Sequence, residues 1–389
     1  MSATPSSPSP TAHRPDLDWL RVVAILLLHL FHTGMMFNHW DWHVKAPGRL
    51  EVLEAPMEVM HLLRMPLLML ISGVGTALAL KRRTVGTFAW DRTKRLLVPV
   101  LFGMFVIVPP QIYVERVFQG RFEGSYAAFY PSVLELVPYP AGNLSWHHLW
   151  FVVYLFVYCM LALPLFAALE SARGRALLAR VEAWLCRGAN LAWLAVPLAV
   201  NDLLLFRHPQ THALFDDPHT FGHYGLLFLL GHLLGRCPRV WDVLVERRWW
   251  LLGVAAGVFA VMLPPNEYPL VPERLGRIAA LWSFILTALA WARHGVRRER
   301  PWLRYAQALS YPFYILHQTV IIVVGFALLR LPVGPWLHFA VVLGVSFAVT
   351  WALSDVVARL SWVRPLFGLK PRAARPVPGP VATTSGHTA

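Results

Sequence analysis

The chain has 389 residues, 57% of them hydrophobic and only 14% charged, and a mean hydropathy of +0.50. That much apolar surface exceeds what soluble domains bury, so the composition excludes a soluble protein and indicates an all-α chain that crosses a membrane many times. The net charge of +14 collects in short loops, where the positive-inside rule places cytoplasmic segments, so it calls for no nucleic-acid partner.

Residues 1–15, rich in Ser, Thr and Pro, read as a disordered leader; no charged region precedes an apolar one, so they do not form a cleavable signal peptide. The first apolar span, Trp19 to Phe37, opens on Asp18-Trp19-Leu20-Arg21 and carries His29 and His32. On a helix, the step from Arg21 to His32 is about 1100° of rotation and about 16 Å of rise, so the two side chains share a face to within about 20°. Ionisable groups inside an apolar span are costly and retained by default for function. A cation near one membrane surface and an imidazole in the other half of the bilayer therefore make this helix the candidate centre of a site. The plainer alternative is that Asp18 and Arg21 mark the helix start and His32 packs on a polar neighbour.

After an aromatic and His-rich patch at His39 to His43, of the interfacial kind, a second span runs from Met57 to Leu80 with His61 and Arg64 one turn apart. Lys81, Arg82, Arg83, Arg92, Lys94 and Arg95 form the most basic short loop, which puts that loop, and by counting back the N-terminus, inside the cell. The third span, Leu96 to Tyr113, contains Pro99 and Pro109-Pro110, tolerable where neighbours satisfy the freed carbonyls. A fourth begins at Trp146-His147-His148-Leu149-Trp150-Phe151. The fifth and sixth, Leu191 to Phe206 and Phe221 to Gly235, flank an outer loop with His208, His212, His219 and His223, whose spacing matches no compact zinc motif. Spans at Trp249 to Leu263, Leu275 to Ala292, Ala306 to Leu328 and Trp336 to Val357 complete about ten helices with both termini cytoplasmic. Every strongly basic loop then falls on one side. The tail, residues 370–389, reads as disordered. The three cysteines, Cys159 in an apolar span and Cys186 and Cys237 in basic loops, imply neither a disulfide framework nor a thiolate metal site.

Several of these stretches together resemble the acyltransferase-3 family of integral membrane acyltransferases. Arg21 and His32 match its Arg, ten residues, His pattern. Leu63-Arg64-Met65 through Ile71-Ser72-Gly73 is similar to its second-helix stretch, although Leu67, Leu68, Met69 and Leu70 stand where paired Phe is usual. Arg92-Thr93-Lys94-Arg95-Leu96-Leu97-Val98-Pro99 resembles its Arg-x-x-Arg-Leu-x-x-Pro element. His148-Leu149-Trp150-Phe151 and the run from Ser310 to His317 match two later motifs.

The resemblance implies one membrane domain over residues 16–369 in a bacterial inner membrane. It would transfer an acyl group, of the succinyl or acetyl class, from cytoplasmic acyl-CoA to a hydroxyl of a periplasmic or cell-surface carbohydrate. No bound cofactor or metal is expected; the expected partners are acyl-CoA, the glycan and the bilayer. His32 and Arg21 are the expected catalytic residues: a neutral imidazole is suited to take a sugar proton, and a guanidinium can grip an anionic part of the donor in a fork. Asp18 would hold Arg21, and Arg64, His148 and His317 would line the substrate site. Arg92 and Arg95 are weaker donor-site candidates, since topogenic charge already explains them. Interfacial anchoring is the alternative for His148, a satisfied core histidine the alternative for His317, and packing the reading for His29. Two other classes fit intramembrane Arg and His: a secondary transporter of a small anionic or sugar-like solute, which should show half-repeats and broken helices, and a haem carrier using His29, His32, His61 and His317.

Overall fold

The protein is described here from a computed structural model covering residues 13–81, 83–262 and 269–371. The expected leader (apart from residues 13–15) and tail (apart from residues 370–371) lie outside the described residues, as do Arg82, Arg372 and Arg375. Among the described residues the secondary structure is helical, and strand pairing is limited to one isolated bridge between Pro138 and Leu144.

Helix α1 is Pro15–Gly34. Proline in its first turn is pre-set for a helix start, and Asp16 and Asp18 complement the positive end of the helix dipole. Its side chains are apolar and buried on several faces, which is the pattern of a helix enclosed by others. It packs against α2 (Glu54–Leu80) and, late in the chain, against α11 (Leu270–Gly295), α12 (Pro301–Ala327) and α13 (Pro335–Arg359). The first helix thus becomes the axis of the bundle.

Helix α3 runs Val85–Phe118, with two π-helical stretches, Thr93–Leu97 and Gly103–Ile107, ahead of its prolines. Pro99 cannot donate to the Arg95 carbonyl four residues back, and the Tyr311 hydroxyl donates there instead, at 3.1 Å. Pro109 leaves the Phe105 carbonyl free, and Tyr130 donates to it at 3.0 Å, while Thr319 donates to the Ile107 carbonyl at 2.8 Å. The broken ladder is repaired by side chains, two of them from α12, and this ties α3 to α12 beside the site.

Helices α4 (His147–Leu161) and α5 (Leu163–Leu169) meet at 50°, where Pro164 interrupts the ladder. Helices α6 (Ala172–Leu185) and α7 (Asn190–Leu205) meet at 117°. Helix α8 (Pro218–Arg236) lies against α2 at backbone distance: a Cβ on Gly73 would stand 2.0 Å from the Phe228 carbonyl oxygen, and one on Gly231 2.0 Å from that of Leu70. Only glycine lets the two backbones approach so closely. The amphipathic α9 (Pro238–Glu246) and the short α10 (Arg248–Met262) lead to the last three long helices.

Among the described residues, six helices are long and apolar enough to cross a membrane, or up to eight if each bent pair is one span. This bears out an all-helical chain with several membrane spans but not the expected count of ten. All ten apolar segments are helical, yet α8 carries His219, His223 and His232 and so lowers its hydropathy. The described part of α10, Arg248–Met262, rises about 22 Å and stops where the described residues stop.

Candidate functional site

His32, near the end of α1, meets His317 of α12: Nδ1 of His32 lies 2.9 Å from Nε2 of His317, with the ring planes 9° apart. The Nδ1 of His317 lies 2.6 Å from the Tyr314 carbonyl oxygen, which can only accept. In neutral rings this sets both tautomers. His317 donates through Nδ1 and accepts at Nε2, so His32 donates through Nδ1 and carries its lone pair on Nε2. Among the described residues that Nε2 has no hydrogen-bond partner, and His32 is only partly buried whereas His317 is fully so.

Two residues with unsatisfied buried donors lie next to His32. Arg64, 5% exposed, places its guanidinium 3.4 Å from the ring centroid of Phe31, the residue before His32. Its Nε and Nη1 have no partner, and no carboxylate pairs with it among the described residues. Trp42 stacks on His32 with centroids 5.2 Å apart, and its buried Nε1 is also unpartnered. The segment carrying Trp42 is fixed from below by Lys45, whose ammonium donates to the Met35 and Trp40 carbonyls at 2.6 and 2.9 Å and which burial lowers to about 8.

His148 packs edge-on to His317, centroids 5.3 Å apart, but its nitrogens are occupied. Nε2 donates to the Ile315 carbonyl at 2.9 Å, Nδ1 faces Gln111 at 3.4 Å, and Tyr314 donates to the His148 carbonyl. It fastens α4 to α12. His29 lies on another side, its Nε2 3.1 Å from Ser346 Oγ of α13.

At the other end of α1, Arg21 Nη1 lies 2.8 Å from Asp18 Oδ1, the partner expected from their one-turn spacing. Arg92 donates to Thr76 Oγ1 at 3.3 Å, and its charge acts on both Arg21 and Arg95. Arg95 Nε reaches the Gly368 carbonyl at 3.2 Å, tying the C-terminal segment to α3. Against these guanidiniums stand Asp18 and Asp91, and Asp91 is already paired with Arg83. The result is a surplus of positive charge suited to an anion.

The structure thus gathers His32, Arg64, His148 and His317 into one group, and Arg21, Asp18, Arg92 and Arg95 into another about 16 Å along α1. The four outer-loop histidines do not converge as a set: His219 stacks on His223 and bonds Asp202 at 2.9 Å, but His212 packs on Trp150 and His208 is exposed. Of the four histidines named for haem, His32 and His317 bond each other and His29 bonds Ser346. Sequence reasoning missed Trp42, Gln111 and Gln318; the Trp and His run at 39–43 was the one available signal. It also missed a second cluster beyond Trp42, formed by His43, Glu115 and His147.

A family described as Acyltransferase domain matches residues 14–355, which takes in both groups of side chains. Among curated proteins, Glucans biosynthesis protein C of Escherichia coli strain SMS-3-5 is 24% identical over 168 residues, and the protein of the same name from strain K12 is also 24% identical over 168 residues. Each alignment covers 42% of this chain and 42% of the relative. The match therefore spans well under half the length of these relatives. The family match runs through every helix that builds the two groups, and on that extent the chain belongs to the membrane acyltransferases of the acyltransferase-3 family.

Proposed function

We propose that this protein moves an acyl group of the succinyl or acetyl class from cytoplasmic acyl-CoA to a hydroxyl of a periplasmic or cell-surface glycan. On this reading it does so in the bacterial cytoplasmic membrane, with both termini and the Arg21 end of α1 facing the cytoplasm. The observation that carries the reading is the free Nε2 of His32, given its lone pair by the His317 bond. The sugar hydroxyl gives its proton to that Nε2 as its oxygen attacks the thioester carbonyl. The C–S bond then breaks, and the thiolate of CoA takes the proton back from the imidazolium. His317 holds the ring in the required tautomer throughout. The N–H groups of Arg64 and Trp42, each costing about 1–3 kcal/mol if left unsatisfied when buried, are suited to the oxyanion that develops on the carbonyl. Phosphates of the donor would sit at Arg21 and Arg92, leaving about 16 Å for its extended arm to reach His32. A glycan acceptor is favoured by the name of the relatives, which refers to glucan biosynthesis.

The test is mass spectrometry of periplasmic and surface glycans from cells with and without the protein, paired with CoA-thiol release by the purified chain. An ester present only with the protein supports the reading; identical glycans and no thiol release would end it. Orientation is tested separately: a reporter fused after Arg95 should read cytoplasm and one near Arg121 the outside. The reverse would put His32 at the wrong face.

A further inference from the structure

One ring beyond the histidine pair, Trp42 leads to His43, their centroids 4.9 Å apart. His43 comes from the segment after α1, Glu115 from α3 and His147 from the start of α4. Each offers one ligand atom, and the three atoms lie within 4.8 Å of one another. We propose that these three side chains bind one divalent cation of the zinc class.

Four observations support this. The Glu115 side chain is 3% exposed and that of His43 13%, so a carboxylate sits here largely out of water, which requires a compensating charge. The neighbouring Arg116 acts on it only through its field and makes no ion pair with it, because its guanidinium turns to Asn143 Oδ1 at 3.3 Å and the Pro140 and Gly142 carbonyls at 2.8 and 3.3 Å. A contact between His43 and Glu115 accounts for two of the three groups but leaves Nε2 of His147 buried with no partner. Finally, His147 is held at φ 37°, in the left-handed region that a non-glycine residue adopts at a cost of about 1–3 kcal/mol.

The outer atoms of all three groups are also engaged, as around a metal centre. His147 Nδ1 lies 2.8 Å from Ser145 Oγ, His43 Nε2 3.3 Å from the Gln318 amide, and Glu115 Oε1 accepts from the Tyr139 hydroxyl at 2.9 Å. Two imidazoles and one carboxylate favour zinc over magnesium or calcium. Ligands about 2.1 Å from a tetrahedral ion stand about 3.4 Å apart, so the widest pair closes by at most about 1.4 Å and the His43–Glu115 pair, now in direct contact, opens to admit the ion, both within reach of side-chain rotation. Such an ion would clamp the Trp42 segment to α3 and α4 over His32, with a fourth position left for water or a sugar hydroxyl.

The experiment uses the full chain, purified in detergent with any affinity tag removed. Mass-spectrometric metal analysis should find about one zinc per chain. After chelation, cobalt(II) titration should raise a visible ligand-field band of the tetrahedral type. His147→Ala and Glu115→Gln should abolish the band, Ser145→Ala should weaken affinity about 10- to 100-fold, and His212→Ala in the outer loop should change nothing. Wild-type protein with neither zinc nor a cobalt band would overturn the proposal, whatever the variants do. So would a band that persists unchanged in folded His147→Ala.

Discussion

At one end of α1, His32 is bound to His317 at 2.9 Å inside a wall of rings, while at the other end Arg21 rests on a single carboxylate, Asp18, with 29% of its side chain exposed. The His32 end is preorganised: the Tyr314 carbonyl fixes the tautomer of His317, which leaves one nitrogen of His32 free and decides which one, while Trp42 stacks on the ring. The Arg21 end offers charge with few fixed bonds. The contrast is that of a site that must hold a reacting atom in one place against a site that must attract a flexible polyanion and release it. The first needs geometry and the second needs field.

The contrast breaks first at His32. His32→Ala should lower acyl transfer about 10²- to 10⁴-fold, the usual contribution of a general base, with membrane insertion intact because alanine is a good helix former. Near-normal turnover of the glycan in this variant would remove the mechanism. Next in size is His317→Ala, which leaves the base but frees its ring. kcat should fall by less than in His32→Ala, with donor KM unchanged, and a change confined to KM would mean that His317 contacts substrate rather than positioning His32.

At the other end, Arg21→Lys keeps the charge and loses the fork. Donor KM should rise about tenfold, the value of one charge-assisted hydrogen bond, with kcat retained. Equal donor affinity would reduce Arg21 to a topological marker. The smallest effect is expected at His29→Ala, one turn from His32 but bonded to Ser346: most activity kept, and stability lowered by about 1 kcal/mol in a thermal-shift assay. Activity loss as severe as in His32→Ala would show that the outer end works as one unit, without a single base.

Much of this was legible in the chain. Helical periodicity alone put Arg21 and His32 on one face, and their one-turn spacing paired Asp18 with Arg21. Arg64 stood out as a cation inside a span, which must pair or face a polar cavity, whereas His148 and His317 were raised above anchoring and packing only by the family resemblance. The roles are finer-grained than the motifs. His148 is spent on the Ile315 carbonyl, which no spacing rule announces. The apolar segments were read as membrane spans, but six to eight are long and apolar enough to cross among the described residues, because segment boundaries alone did not show the histidine-lowered hydropathy of α8 or the bend before Pro164.

What the sequence by itself determined is therefore local: the membrane class, the helices, and the alignment of charge and imidazole along α1, each of which follows from composition or a repeat of a few residues. Only the tertiary structure decided the bond between His32 and His317, 285 positions apart, and with it the nitrogen that carries the lone pair. It also decided the meeting of His43, Glu115 and His147 from three separate segments. The physical reason is that a helix sets the direction of its own side chains, whereas the partner that a side chain meets depends on how closely two backbones can approach, and glycine contacts such as Gly73 against Phe228 set that approach.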